Sequence, residues 1–224
     1  MKIYQPIAGV FLAALLSACG GGGGDATPVA VATFPLDAAS TKAMTNGVNL
    51  SGTAIDGVDT WTMSMSITPA ADAMFEGVLR KKSIQALTIK KNGSVLSSET
   101  ISSYFSINPL TTYGASYSSG IYAVQTTIAG TFPTTAKVGD SGALGTLTVY
   151  TNPSKTTVQS TTQSTWTLEA DTATTAFGCV NSVIKSASGV QTGTGAGCYK
   201  IDTNGNVLGM RFTLSVAGKT LVFK

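Results

Sequence analysis

The chain has no histidine anywhere in its 224 residues. That one absence removes Ser-His-Asp triads, Cys-His dyads, histidine-ligated zinc and histidine general bases together. Charge is scarce as well: Asp, Glu, Lys and Arg make up 11% of the residues, with a net charge of +3. Such a chain has little with which to hold a polyanion, so nucleic acid is not an expected partner. Long apolar runs are missing too. The run at residues 7–16 holds ten residues, against the roughly 20 that a membrane-spanning helix needs. Helical periodicity is almost absent after residue 46, which argues against a helical bundle.

What is plentiful is hydroxyl. Threonine (34) and serine (23) supply about a quarter of the chain. β-Branched threonine fits the pleated surface of a strand better than the flank of a helix. The fold class expected is therefore all-β. Alternating segments at 60–67, 73–79, 83–91, 95–107, 121–128, 144–150, 156–170, 174–184, 197–202, 207–216 and 220–223 read as antiparallel strands. The clearest is 60–67, which puts Trp61, Met63, Met65 and Ile67 on one face and Thr62, Ser64 and Ser66 on the other. Residues 132–145 read as a connector, and Ala217-Gly218-Lys219 as the last turn. One short helix is expected at 37–44, with Asp37 as N-cap and Asn46-Gly47 as its stop. The resulting meander suits an up-and-down barrel, a half-barrel covered by the helix, or a two-sheet sandwich. Barrels of about eight strands can enclose one small ligand. The aromatic girdles of a transmembrane barrel are missing from the pattern.

Residues 1–18 read as an export leader: Lys2, the apolar run, then the small residues Ser17 and Ala18. Leu16-Ser17-Ala18-Cys19 resembles the lipobox of bacterial lipoproteins. The resemblance implies that the leader is cut before Cys19, whose thiol is diacylated and whose new amine is acylated. With Gly20 rather than aspartate after the cysteine, it further implies outer-membrane rather than inner-membrane residence. From the lipobox and the glycines that follow it, the chain is similar to outer-membrane lipoproteins of Gram-negative bacteria. Residues 19–35 then read as a lipidated glycine-rich tether, and 36–224 as one β-domain.

Lipidation of Cys19 leaves Cys179 and Cys198. An even pair in an exported protein is expected to form a disulfide. The segment 181–197 between them, rich in Gly, Ser and Thr, reads as a long hairpin loop. Two stretches resemble each other: Thr60-Trp61-Thr62-Met63 matches Thr165-Trp166-Thr167-Leu168, and an Asn-Gly turn follows each at Asn92-Gly93 and Asn204-Gly205. This leaves open a duplication of two meanders, 48–107 and 144–224, beside a coincidence of common turn chemistry.

No catalytic constellation survives inspection. Gly139-Asp140-Ser141-Gly142 has no histidine to activate its serine, and reads as a turn. Ser182-Val183-Ile184-Lys185 matches Ser-x-x-Lys but lies in a strand-like stretch, where the spacing does not bring the two together. Gly218-Lys219-Thr220 lacks the first glycine of a P-loop. Asp202-Thr203-Asn204-Gly205-Asn206 begins like a calcium loop and lacks its later ligands. Glu169 and Asp171 alternate onto one strand face and are the one carboxylate pair to consider. No metal and no cofactor are expected. The candidate ligand or interface aromatics are Trp61, Trp166, Tyr104, Tyr113, Tyr117 and Tyr122. Arg80, Lys81, Lys82, Lys90 and Lys91 gather in one segment and could face anionic headgroups.

These residues point to a non-catalytic, membrane-anchored structural or interaction domain, whose partner would be an envelope protein or a polysaccharide. A carrier of a small apolar ligand is the alternative, and a carboxylate-dependent polysaccharide hydrolase a weaker one.

Overall fold

The structure is a computed structural model that describes residues 32–216 and 219–224. The leader, Cys19 and most of the tether lie outside the described residues, as do Ala217 and Gly218 of the expected last turn. Among the described residues no helix is long and apolar enough to cross a membrane.

The expected all-β meander is present, with one helix. After β1 (Thr33–Phe34) and α1 (Leu36–Asn46) come β2 (Val48–Asp56), β3 (Asp59–Phe75), β4 (Val78–Lys91), β5 (Ser94–Ser106), β6 (Thr111–Tyr117) and β7 (Tyr122–Ile128). β8 (Ala136–Lys137), β9 (Ser141–Tyr150), β10 (Val158–Ala170), β11 (Thr175–Ser186), β12 (Gln191–Asp202), β13 (Val207–Val216) and β14 (Lys219–Phe223) follow. Twelve strands form one antiparallel sheet in the order β14-β13-β12-β11-β10-β9-β7-β6-β5-β4-β3-β2. It curls into a nearly closed barrel. Its two ends meet where Thr53 and Lys224 exchange backbone hydrogen bonds of 3.0 and 3.3 Å. β1 and β8 make a separate two-stranded piece.

Side-chain alternation follows the register. Ala54, Gly52, Leu50 and Val48 of β2 stand opposite Trp61, Met63, Met65 and Ile67 of β3, and all eight face inward. Thr62, Ser64 and Ser66 face out, as the alternation in the sequence requires. The turns joining β2–β3, β4–β5, β6–β7, β9–β10 and β11–β12 lie at one end of the barrel, called here the far end. At the other end, α1 sits in the mouth as a plug. Leu36 packs where a Cβ on Gly178 would meet it at 2.6 Å, and the Ser83 hydroxyl approaches the Met44 sulfur at 3.5 Å. Phe34, Leu36 and Ala39 share a buried cluster with Trp166, Leu168, Ala176 and Ile201. A second cluster of Leu50, Ala54, Met63, Ile89, Met210, Leu221 and Phe223 fills the space inside the seam. Those burials supply the main driving force for closure.

Several local expectations are corrected. The helix begins at Leu36, and its N-cap position is Pro35, which makes no side-chain capping bond. Asp37 instead lies in the first turn, and its carboxylate accepts the Leu110 backbone N–H at 2.9 Å. The last residues of the expected tether belong to the fold, because Thr33 pairs with Lys137 and Phe34 is buried. Segment 181–197 is not a loop. Residues 181–186 and 191–197 continue β11 and β12 as one hairpin, with a register shift between Ile184 and Lys185, leaving a short turn at 187–190. The expected strand 73–79 straddles a turn at Glu76-Gly77, where both residues have positive φ (50° and 77°). β2 and β6 were not expected, and residues 132–145 contain β8 and the start of β9. The two Trp segments also stand differently in the topology. One strand, β4, lies between the Trp61 strand and its Asn-Gly turn, whereas β11 and β12 separate the Trp166 strand from the other.

Candidate functional site

Three of the four candidate tyrosines, Tyr104, Tyr113 and Tyr122, converge under a folded arm. β3 and β4 are the longest strands, and a register shift between Ala70 and Ala73 breaks their pairing. Beyond it the hairpin tip leaves the barrel wall and crosses the outer face of β5, β6 and β7. Phe75 stacks on Tyr104 (centroids 4.4 Å apart, planes 18° apart) and meets Tyr122 at 5.4 Å. Its ring fills the space that a side chain on Gly114 would need. The Arg80 guanidinium lies 3.4 Å above the Tyr113 ring, a cation–π contact. At the tip the Glu76 carboxylate accepts a 2.8 Å hydrogen bond from the Tyr122 hydroxyl and pairs with Lys155. The Lys155 contact, then the Tyr122 bond, hold the Glu76 carboxyl below its ordinary range, while burial and Glu76 push the Tyr122 phenol up. Tyr117 is separate. It faces inward opposite Ile101, and burial, then the nearby Glu99, raises its phenol.

The basic segment does not form one patch. Arg80, Lys81 and Lys82 belong to the arm and its root, with Lys81 on Asp72 at 3.1 Å. Lys90 and Lys91 stand near the far end of β4, ten residues or roughly 33 Å along the strand. Lys91 points inward, pairing with Asp59 at 2.6 Å and lying 5.4 Å from the Trp61 ring. Trp61 packs half-buried on the seam cluster, and its Nε1 is buried with no hydrogen-bond partner among the described residues. Trp166 is buried beside the helix plug. Tyr199, beneath the same region, has its phenol pushed up to about 12 by burial.

Cys179 and Cys198 stand directly opposite each other in the β11–β12 ladder and are joined by a disulfide on the outer face. A guanidinium covers it: Arg211 Nη2 lies 3.6 and 3.5 Å from the two sulfurs. Glu169 holds that guanidinium as an ion pair, and Phe177 lies beneath it, 4.5 Å from ring centre to Cζ. The carboxylate, the guanidinium and the ring shield the disulfide from solvent. Glu169, Cys179 and Cys198 are close enough together to suggest a metal centre. The disulfide uses both thiolates and Arg211 already supplies the positive charge, so the cluster is better suited to structure than to a cation.

The remaining motifs resolve by geometry. Glu169 and Asp171 do not act as a pair, because Asp171 bonds Lys200 at 2.8 Å and its carboxyl is lowered by that contact and by Thr175. In the calcium-like loop, Asp202 accepts the backbone N–H groups of Asn204 and Asn206 at 2.9 and 2.8 Å. The cation beside it is the Lys42 ammonium from α1, donating to the Asn204 carbonyl at 2.8 Å and to Asn206 Oδ1 at 3.3 Å. Ser182 faces inward, within 3.3 Å of the Ser164 hydroxyl, while Lys185, three residues on, points outward and is exposed. Asp140 closes its turn by accepting the Lys137 N–H at 2.8 Å.

Two neighbouring clefts open on the outer wall near the seam. One, of about 360 Å³, is lined by Asn49, Ser51, Ser64, Ser66 and Thr88 among others; the second, of about 480 Å³, by Asn46, Asn49 and Thr68. Their polar lining is hydroxyl and amide, with no charged side chain. The sequence signalled the hydroxyl alternation of β3 but not the clefts, because β2 was not legible as a strand. Against known proteins, the chain matches no family model, and no curated protein or solved structure shows significant similarity to it.

Proposed function

We propose that this chain is a lipid-anchored envelope protein whose β-domain is a non-catalytic structural or interaction module. One observation carries the reading: α1 and Phe34 occupy the barrel mouth and pack on Trp166, Leu168 and Ile201. With its own residues filling that end, the domain offers a partner its outer wall. That wall is neutral and hydroxyl-rich over β2 and β3, and it includes the two clefts. Anchoring follows from the lipobox resemblance, with Cys19 as the lipidated residue and the outer membrane as its location. An envelope protein or a neutral polysaccharide fits the chemistry of the clefts, whose hydroxyls and amides both donate and accept hydrogen bonds.

The carrier alternative asks for an apolar interior. The inward positions toward the far end of β10–β12 are instead mostly hydroxyls and glycines, Ser160, Thr162, Ser164, Ser182, Gly193 and Gly195, with Ile184 buried among them. The hydrolase alternative needs an acid and a base, and both candidate carboxylates are held by cations.

Replacing Cys19 with serine tests the anchor. The expected result is loss of the protein from washed outer membranes, and retention would show that something else holds it there. Native mass spectrometry of detergent-extracted protein tests the module against the carrier. A single mass for the acylated chain is expected, and a co-purifying apolar molecule would favour the carrier.

A further inference from the structure

The arm is a separable unit of the barrel. Between the pairs Ala70–Lys82 and Ala73–Arg80, β3 has two residues, Ala71 and Asp72, against Lys81 alone. Such a bulge bends a hairpin and interrupts its ladder. Beyond it the tip keeps pairing of its own, Ala73 with Arg80, Met74 with Leu79 and Phe75 with Val78. Asp72 and Lys81 form an ion pair inside the arm at 3.1 Å. The fastenings to the wall are side-chain contacts: Phe75 on Tyr104 and Tyr122, Arg80 on Tyr113, and Glu76 on Tyr122 and Lys155. None of them uses the hairpin's own ladder, so the tip can lift at the bulge with its internal pairing intact.

The wall holds a socket for this tip. Gly114 has no side chain where the Phe75 ring enters, and a Cβ there would come within 2.4 Å of it. Tyr104 and Tyr122 close the socket, and Phe75 is only 4% exposed within it. The arm's other face is left in water. Met74 and Leu79, directly opposed in register, are 63% and 62% exposed, and Val78 beside the turn is 46% exposed. A socket shaped to this hairpin selects its occupant, because every further copy of the chain carries the same tip.

We propose that the β5–β7 wall is an exchange surface for a second copy, whose arm takes the socket while the resident arm crosses to the other wall. Exchange of identical elements remakes each fastening and asks for no new complementarity. Two arms crossing about a two-fold axis run past each other in opposite directions. Met74 and Leu79 of one then lie beside those of the other, and their burial is what the pair gains over two closed monomers. The closed arm prevails in dilute protein, where the resident tip is held at high effective concentration, and crowding of copies favours the pair. In the sheet order β7 lies about half-way round from the β2–β14 seam. Pairing through its wall therefore leaves the clefts of both copies facing outward.

Cross-linking between chains tests this on the full protein, processed by its host and held in detergent. One preparation carries Glu76→Cys at the arm tip, the other Lys155→Cys on the wall. Cys19 is blocked by acylation, and Cys179 and Cys198 by their disulfide. The two are mixed at high concentration, passed briefly through mild urea to free the arms, returned to buffer and treated with bismaleimidoethane. The expected product is a covalent heterodimer, several-fold more abundant than from Val58→Cys with Lys155→Cys, and scarce when the mixture is dilute throughout. One chain carrying both Glu76→Cys and Lys155→Cys should close on itself when dilute, which establishes that the reagent spans the contact. Phe75→Ala in the arm-tip chain should remove most of the heterodimer. Where that chain does not refold, Tyr104→Leu in the wall chain takes away the same stack from the other side. A yield no greater than with Val58→Cys, or one undiminished by loss of the stack, would overturn the exchange. Cross-linking of the unsubstituted chain would instead overturn acylation of Cys19.

Discussion

Phe75 lies nearly parallel to Tyr104, ring centroids 4.4 Å apart, although the two residues sit on different layers of the same sheet. The contact exists because the β3–β4 hairpin folds back over its neighbours, and it makes Phe75 the fastener of the arm.

Phe75→Ala is expected to destabilise the domain by about 3 kcal/mol, the usual cost of deleting a buried ring. Phe75→Leu should cost less, because it keeps much of the apolar volume over Gly114. Urea denaturation followed by tryptophan fluorescence measures both. Equal stability of Phe75→Ala and the unsubstituted protein would mean that the arm contributes nothing to the fold.

The Glu76 latch predicts a pH dependence. Its folded-state pKa is depressed by Lys155 and Tyr122, so its contribution is present above the unfolded carboxylate value, about 4.3. The contribution is lost as pH falls through the folded value. Comparison with Glu76→Gln should show a small advantage for the carboxylate at pH 7, below about 1 kcal/mol because the pair is solvent-exposed. The two stability curves should merge in acid. Tyr122 carries the opposite sign. With its folded pKa raised, stability is retained below pH about 10 and lost as pH rises through the folded value.

Lys42→Met removes the cation from the Asp202 loop. A loss of about 1 kcal/mol is expected, since two hydrogen bonds from a charged donor go with it. Millimolar calcium should not raise the melting temperature of either protein. Restoration of Lys42→Met by calcium would show that the loop binds the ion once the ammonium is gone.

The seat of the helix plug is open to a double-mutant cycle. Gly178→Ala should cost about 1–3 kcal/mol by crowding the Leu36 side chain. In a Leu36→Ala background the same substitution should be close to neutral, which is coupling between contacting residues. Additive effects would place Leu36 elsewhere.

Paired Cys179→Ser and Cys198→Ser substitutions are expected to cost roughly 2–3 kcal/mol. Arg211→Ala should leave the disulfide intact and speed its reduction by dithiothreitol, because the guanidinium and its Glu169 partner cover both sulfurs. Thiol release measured against time separates the two effects. An unchanged rate would mean that Arg211 does not shield the bridge.

The sequence by itself determined the class of the fold. Thr60 to Ile67 alternates so regularly that one register satisfies both its apolar and its hydroxyl face. Asn92-Gly93 adopts positive φ at both residues, 48° and 82°, as a tight hairpin requires. Missing histidine excluded whole classes of chemistry before any coordinates. β2 escaped notice because Gly52 and Ala54 take inner positions with almost no apolar signal. Gly52 is small because Phe223, 171 residues later, packs on it. The 181–197 hairpin escaped for a related reason: Gly193, Gly195 and Gly197 read as loop residues, yet pair in register with Ile184, Ser182 and Val180. Tertiary structure alone decided that Tyr104, Tyr113 and Tyr122 lie under the chain's own arm, that Lys42 fills the Asp202 loop, and that five neighbouring cations separate. Local sequence specifies which face a side chain takes. Which surface it meets depends on long-range register and on where a strand bends, and neither is encoded within a short window.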